Sequence, residues 1–475
     1  MKHKFLFLIT IPFLSACDLL GGNNPAEDNP SSGISEDTKE ENVDNQDEMY
    51  QALFKHSNDI RITIQATNEA WGKMKEYGDS SRSFEDKELY HPANVTIKIN
   101  DKTYTYDEVG VRLKGGSFSR NTSFFHKSTG LFDDEPTHLK LSFSQTFSAG
   151  DLDYYTHTPE WTKDAKSERK DRKIGKMKKI DLKWNRNYDY TFTRESYMNY
   201  CFNDVDLAAQ LTNLVKVTLI SDNDSKTFTY QMNEALDKQF IKHHYGKNNT
   251  DGNLYKGAYN ASGKCNFSLS GKSKIGIESN NFMPIYDLKT NDDVPDHTLL
   301  NNVITKINNN ATTREEIENI INVPQVLKYM AMSWVMGNPD DFRMNDNNTF
   351  FYFNKDNKLE IITYDNDRCL GIHRDMDHSD LRQYGMLNNT HYDGSRIENN
   401  LYYRFILNGQ HLIQDYQDQY IKLCKQYATE YLSKSKFDAF TAEFANAPHT
   451  DSTYKGDGNT SFASYATEKL KLINQ

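Results

Sequence analysis

Short runs of alternating apolar and polar residues occupy the first half of the chain, and apolar residues at helical spacing dominate the second. ANVTIKIN (93–100) sets Val95, Ile97 and Ile99 on one face, the period of two that marks a half-buried strand. VGVRLKGG (109–116) continues the alternation through Val109, Val111 and Leu113, then breaks at Gly115-Gly116. HLKLSF (138–143) groups Leu139, Leu141 and Phe143, which puts Lys140 on the opposite face. KIDLKW (179–184) reads as another strand, and LVKVTLI (214–220) with KTFTYQM (226–232) as a hairpin. Two glycines after a strand let the backbone approach a ligand such as a phosphate, although a plain turn uses the same pair.

A helix is predicted after Thr193, a candidate cap, with Met198, Cys201, Phe202 and Val205 as its apolar stripe. Glu195 falls on that stripe. A core-facing carboxylate needs a partner, and Lys140 is the natural choice; the other reading has Glu195 capping backbone groups at the helix start. EALDKQFIKHHYG (234–246) predicts a short helix ended by Gly246. NVPQVLKYMAMSWVMGN (322–338) predicts a buried helix, with Pro324 near its start and Gly337 at its end. It leads into an acidic stretch, 337–371, in which Asn338, Asp340, Asp341, Asn347 and Asn348 precede two apolar strands that deliver Asp365 and Asp367. Carboxylates and amides held between rigid strands suit a hard cation. Further helical patterns fall at 401–433, 435–445 and near 460–473. Strands early and helices late predict an α+β fold.

Composition adds the means to fold: of 475 residues, 37% are hydrophobic and 12% aromatic, enough for a sizeable core. A net charge of −11 argues against nonspecific nucleic-acid binding, which depends on neutralising phosphates. The basic run within 160–179 reads as solvated surface or as a dock for an acidic partner. The first residues carry Lys2 and Lys4, a short apolar core, and Leu14-Ser15-Ala16-Cys17. This resembles the lipobox of bacterial lipoproteins, which implies a signal peptide over 1–16 and lipid on Cys17. Residues 17–49 hold almost no large apolar side chains and read as a disordered acidic tether, ahead of a folded body over 50–475. The expected location is the cell envelope, inner or outer membrane, with the lipid as the sole membrane contact. Cys201, Cys265, Cys369 and Cys424 show no zinc-site spacing and leave disulfides or free thiols open.

Five pieces in order resemble the CotH-type atypical protein kinases. They are Val111–Gly116 (the GVRLKG-like turn), Lys140–Phe143 (K-x-x-F), Arg194-Glu195, Gly337–Asn348 (GNxD…NN) and Tyr364–Gly371 (WDxDxxxG), within about 90–375. The resemblance implies a kinase-like fold with an antiparallel-sheet N-lobe and a mainly helical C-lobe, helical over 400–475. It implies ATP with Mg²⁺ or Mn²⁺ as cofactors and an unidentified envelope protein as phosphate acceptor. Lys140 would touch the nucleotide phosphates and pair with Glu195, with Arg112, Lys114 and Glu234 among the nucleotide contacts. Asp340 would orient or deprotonate the acceptor hydroxyl, with Asn348, Asp365 and Asp367 on the metal. Asp341 rivals Asp340, which family spacing favours. Tyr364 replaces the family's Trp, and the hairpin at Asp222–Ser225 lacks its usual glycines, which puts the adenine pocket in doubt.

Two other classes compete. Asp340 with Asp365, or Asp365 with Asp367, has the composition of a glycoside hydrolase pair, though aspartates one residue apart suit a metal better. A non-catalytic pseudokinase or a lipoprotein binding surface polysaccharide or protein is the other reading.

Overall fold

The computed structural model describes residues 41–116, 119–147, 169–372, 384–390, 395–407, 414–453 and 459–474. Cys17, the leader, the tether before residue 41 and the 160–168 part of the basic run lie outside the described residues.

The alternating runs become a barrel. Among the described residues its strands are β1 (Ile60–Gln65), β2 (His91–Ile99), β3 (Lys102–Leu113), β4 (Leu139–Ser142), β5 (Lys179–Trp184), β6 (Thr212–Ile220) and β7 (Ser225–Glu234). They close in the order β1-β2-β3-β4-β5-β7-β6, with β1 and β6 parallel. Closure follows from the pattern: Ile62, Val95, Val111, Leu141, Leu182, Val217 and Met232 are all fully buried in one cluster, and a closed sheet leaves no edge to pair elsewhere. An antiparallel-sheet N-lobe was expected; the sheet is antiparallel except where β1 meets β6, and it closes into a barrel. The difference lies in IRITIQ, whose Ile60, Ile62 and Ile64 alternate like the rest and bridge β2 to β6.

Helix α1 (Glu41–Phe54) begins inside the stretch read as tether and buries Met49, Tyr50 and Leu53 against the barrel cluster. The described residues from 44 onward form one compact unit. Helix α2 (Asn68–Tyr77) is capped by Thr67 and buries Trp71.

Beyond the barrel come helix α3 (Arg194–Asp204) and helix α4 (Lys238–Tyr245). A five-stranded sheet follows, built from β8 (Leu254–Gly257), β9 (Ile275–Gly276), β10 (Tyr286–Leu288), β11 (Thr349–Phe353) and β12 (Leu359–Thr363) in the order β9-β10-β8-β11-β12. Helices still make up most of this C-terminal part, alongside the sheet. Helix α5 (Val323–Met336) starts at an Asn322 cap with Pro324 beside it and ends at Gly337, in the left-handed region at φ 58°. It is buried almost throughout because its apolar residues surround the axis. Trp334, fully buried, donates from Nε1 to the Tyr384 carbonyl at 3.0 Å; truncating it to Ala costs about 3–5 kcal/mol. Helix α6 (Gln414–Tyr431) belongs to the same core. No helix among the described residues is long and apolar enough to cross a membrane. Cys201, Cys265, Cys369 and Cys424 are free and buried.

Candidate functional site

Strands β4 and β5 pair with Lys140 opposite Asp181 and Leu139 opposite Leu182. The leucines point into the barrel, so Lys140, Asp181 and Lys183 stand on its outer face, beneath α3 and the turn after β12. Lys183 is the centre of this face. Its Nζ lies 2.8 and 2.9 Å from the two Glu195 carboxylate oxygens, 2.6 Å from Asp365 Oδ1 and 3.7 Å from Asp367 Oδ2. It is 4% exposed. Burial alone would lower its pKa, but Asp365, Asp367 and Glu195 hold it well above the ordinary lysine value.

The expected pairing of Lys140 with Glu195 is not found. Asp181, directly opposite Lys140 on the paired strand, intercepts it at 3.2 Å and also takes Lys114 at 3.2 Å. Lys183 obeys the same alternation as Lys140 and precedes Glu195 by only twelve residues. The parity of KIDLKW was the signal for it; the K-x-x-F pattern pointed to the neighbouring strand instead.

Glu195 does face the core, and Thr193 does not cap its helix. Asp189 does: its Oδ2 accepts from Arg194 N at 2.9 Å. Glu195 also fixes the second acidic loop, with Oε1 accepting from Asn366 N at 3.2 Å. The Asn366 amide donates to Asn199 of α3 at 2.8 Å and accepts from Thr363 at 2.9 Å. Arg194 adds a buried tie to the Leu370 carbonyl at 2.9 Å. Asn366, Asn199 and Arg194 therefore set the aim of Asp365 and Asp367, and nothing in the sequence pattern marked the two asparagines.

The two aspartates of this loop titrate in opposite directions. Burial pushes Asp365 up, but Lys183 and Lys114 outweigh it and hold the carboxyl well below the usual range. Asp367 is pushed up to about 7, first by burial and then by the Asp365 and Glu195 charges. Asp365 and Asp367 offer the kind of carboxylate oxygens that a hard divalent cation takes.

Asp340 sits within electrostatic reach of Asp365. Its Oδ1 accepts from Asn345 at 2.7 Å and Asn347 at 3.1 Å, and its Oδ2 from Asn348 at 3.0 Å. Burial raises its pKa. Asp341 is committed elsewhere: it caps the turn Phe342–Asn345 through Met344 N at 2.9 Å and accepts from the Ser333 hydroxyl.

Three expected nucleotide contacts are distributed unevenly. Lys114 joins the cluster, 5.4 Å over the Tyr364 ring and beside Asp181. Arg112 turns to Glu88 at 2.5 Å. Glu234 is not at the site: β5 pairs Lys183 with Gln231, and Glu234 lies three residues on, about 10 Å along the strand, bonded to Tyr50 and His244. The glycine-poor hairpin is farther still in the other direction, about 20 Å from Gln231. Its Asp222 and Asp224 accept from Asn68 N at 2.7 Å and Phe132 N at 2.9 Å. It does not crowd Lys183.

Residues 155–467 match a family model described as CotH kinase protein. The span takes in Lys183, Glu195, Asp340 and Asp365, while the motifs at Val111–Gly116 and Lys140–Phe143 precede it. A search of curated proteins found no match.

Proposed function

The chain belongs to the CotH kinase family, and from that premise we propose that it is an active phosphotransferase, moving the γ-phosphate of ATP to a protein hydroxyl. The observation that carries this is the convergence of a lysine–glutamate pair, Lys183 with Glu195, on a loop bearing two aspartates. Protein kinases use that constellation: the pair positions the nucleotide phosphates and the loop aspartate serves the metal.

In this reading Lys183 binds the transferring phosphates, and Glu195 holds its ammonium on station. Lys114, on the same face, adds positive charge. Asp365, Asp367 and Asn348 hold Mg²⁺ or Mn²⁺, which supplies charge neutralisation to the phosphoryl group when bound. Asp340, oriented by Asn345, Asn347 and Asn348, aligns the acceptor hydroxyl and takes its proton. Little covalent chemistry is asked of the protein; alignment and charge supply the rate. We also place the chain at the cell envelope, tethered by lipid on Cys17.

The test is transfer of label from radioactive ATP by the full chain with Mg²⁺ or Mn²⁺, into itself or envelope proteins. Wild type should label, and Asp340→Asn and Asp365→Asn should not. Equal labelling by all three would sink the proposal.

A further inference from the structure

A second cluster of ligand-type side chains lies where the barrel hands over to the rest of the chain. Glu234 ends β7, His243 and His244 lie in the last turn of α4, and Tyr50 reaches in from α1. Ligand atoms of Glu234, His243 and His244 all fall within 4.8 Å of one another. His244 Nε2 is 2.9 Å from Glu234 Oε2, and His243 Nδ1 is 3.7 Å from Oε1. Tyr50 Oη donates to Glu234 Oε1 at 2.8 Å and lies 2.8 Å from His243 Nδ1.

Charge is what this cluster lacks. Glu234 is 1% exposed, and among the described residues no lysine or arginine lies within ion-pair distance of it. Its partners are the two imidazoles and the Tyr50 hydroxyl. A buried carboxylate with no lysine or arginine beside it is costly unless another cation completes it.

We propose that Glu234, His243 and His244 form a Zn²⁺ site, with Tyr50 orienting the carboxylate. Two imidazole nitrogens and one carboxylate oxygen are a known zinc donor set. Tetrahedral coordination at ordinary bond lengths separates ligand atoms by about 3.3 Å, and the three ligand atoms already lie within 4.8 Å of one another. Both rings coordinate as neutral imidazoles, each through the nitrogen that now faces Glu234, with the proton on the other nitrogen. His243, the more exposed of the two rings, gives the ion a path in from solvent. The ion would pin α1, the end of β7 and α4 to one another. It is independent of the phosphotransferase reading, since it shares no residue with Lys183 or the acidic loops.

The experiment loads full-length protein with Zn²⁺ after chelation and counts the metal retained through gel filtration. Wild type should keep about one equivalent and melt about 3 °C higher than the chelated form. Asp365→Asn/Asp367→Asn should keep it, and His243→Gln/His244→Gln should lose it. Retention by the histidine variant, loss in the aspartate variant, or no retention by wild type would each overturn the site. Should the histidine variant fail to fold, Co²⁺ in wild type decides: intense four-coordinate visible absorption supports the site, and the pale six-coordinate spectrum refutes it.

Discussion

Two carboxylate clusters gather around residues of neighbouring barrel strands, Lys183 and Glu234, and balance their charge by different means. Around Lys183, three carboxylates are held by a fixed ammonium that stays charged at any physiological pH. Around Glu234, the partners are histidines and a tyrosine, whose charge depends on pH or on an added ion. A permanent cation suits a site that must receive anionic phosphates repeatedly without changing its own state. Titratable donors suit a site that is completed once. The predictions below press on that contrast, beginning with the residue on which the first cluster rests.

Replacing Lys183 with Met should have the largest combined effect, on stability and on transfer together. It leaves Glu195, Asp365 and Asp367 facing one another with no cation between them. Removing one partner of a buried pair typically costs about 3–5 kcal/mol. Phosphoryl transfer should fall by about 10²–10³ beyond any unfolding, since a preorganised charge at the reacting group is gone. Denaturant melts and labelling per folded molecule measure the two losses separately; an active, stable variant would mean that the cluster is not the site.

The adjacent aspartates give the next test. Asp340→Asn keeps the shape and removes the base, so labelling should drop by about 10²–10⁴ while the melt moves little. Asp341→Ala should do the reverse. It removes the cap on Met344 N and strands the Ser333 hydroxyl, together about 2–4 kcal/mol, with activity lost only as far as the fold is. Identical behaviour of the two variants would erase the distinction drawn between them.

Much of this was legible in the chain, and the limits follow from what a pattern can encode. Alternation placed β2 to β7 and the buried α5, because each side chain's face is set by its own strand or helix. Closure of the barrel was not legible, since it depends on β1 meeting β6 across more than 150 residues, as Arg61 meets Lys216. The same limit explains Lys183. Lys140 and Lys183 have equal parity on adjacent strands, and only the register, which sets Asp181 beside Lys140, decides which lysine is free to reach Glu195. Asp340, Asp365 and Asp367 were identifiable because their loops lie close in sequence. The displaced Glu234 shows the opposite case, where a motif position was right in order and wrong in space.

A smaller effect concerns pH. Asp346, fully buried beside the Asp340 loop, is pushed by burial up to about 8, against an ordinary value of 3.8. The folded state therefore keeps a proton that the unfolded state releases. Stability from this group is present in full below pH 3.8 and is lost as pH rises through that interval towards 8. The slope is at most about 1.4 kcal/mol per pH unit. Asp346→Asn cannot titrate, and Asn accepts the left-handed backbone at this position, φ 51°. Its melting temperature should fall less than that of wild type between pH 5 and 8. Parallel curves would show that Asp346 is ionised in the fold.

The smallest change should come from Lys140→Met, and it is the sharpest test of the register argument. Lys140 lies on the same face as Lys183 and one strand over, yet its contact is with Asp181. Lys114 holds the other oxygen of that carboxylate at 3.2 Å and remains when Lys140 is gone, so Asp181 keeps a cation. Burial and the two lysines set Asp181 at about 2 in the intact protein, and one lysine is enough to keep it ionised at neutral pH. The cost should then stay within about 1 kcal/mol, and labelling should survive where Lys183→Met abolishes it. A loss of transfer in Lys140→Met equal to that in Lys183→Met would mean that the nucleotide phosphates lie against β4, and that the lysine of the K-x-x-F strand belongs to the site after all.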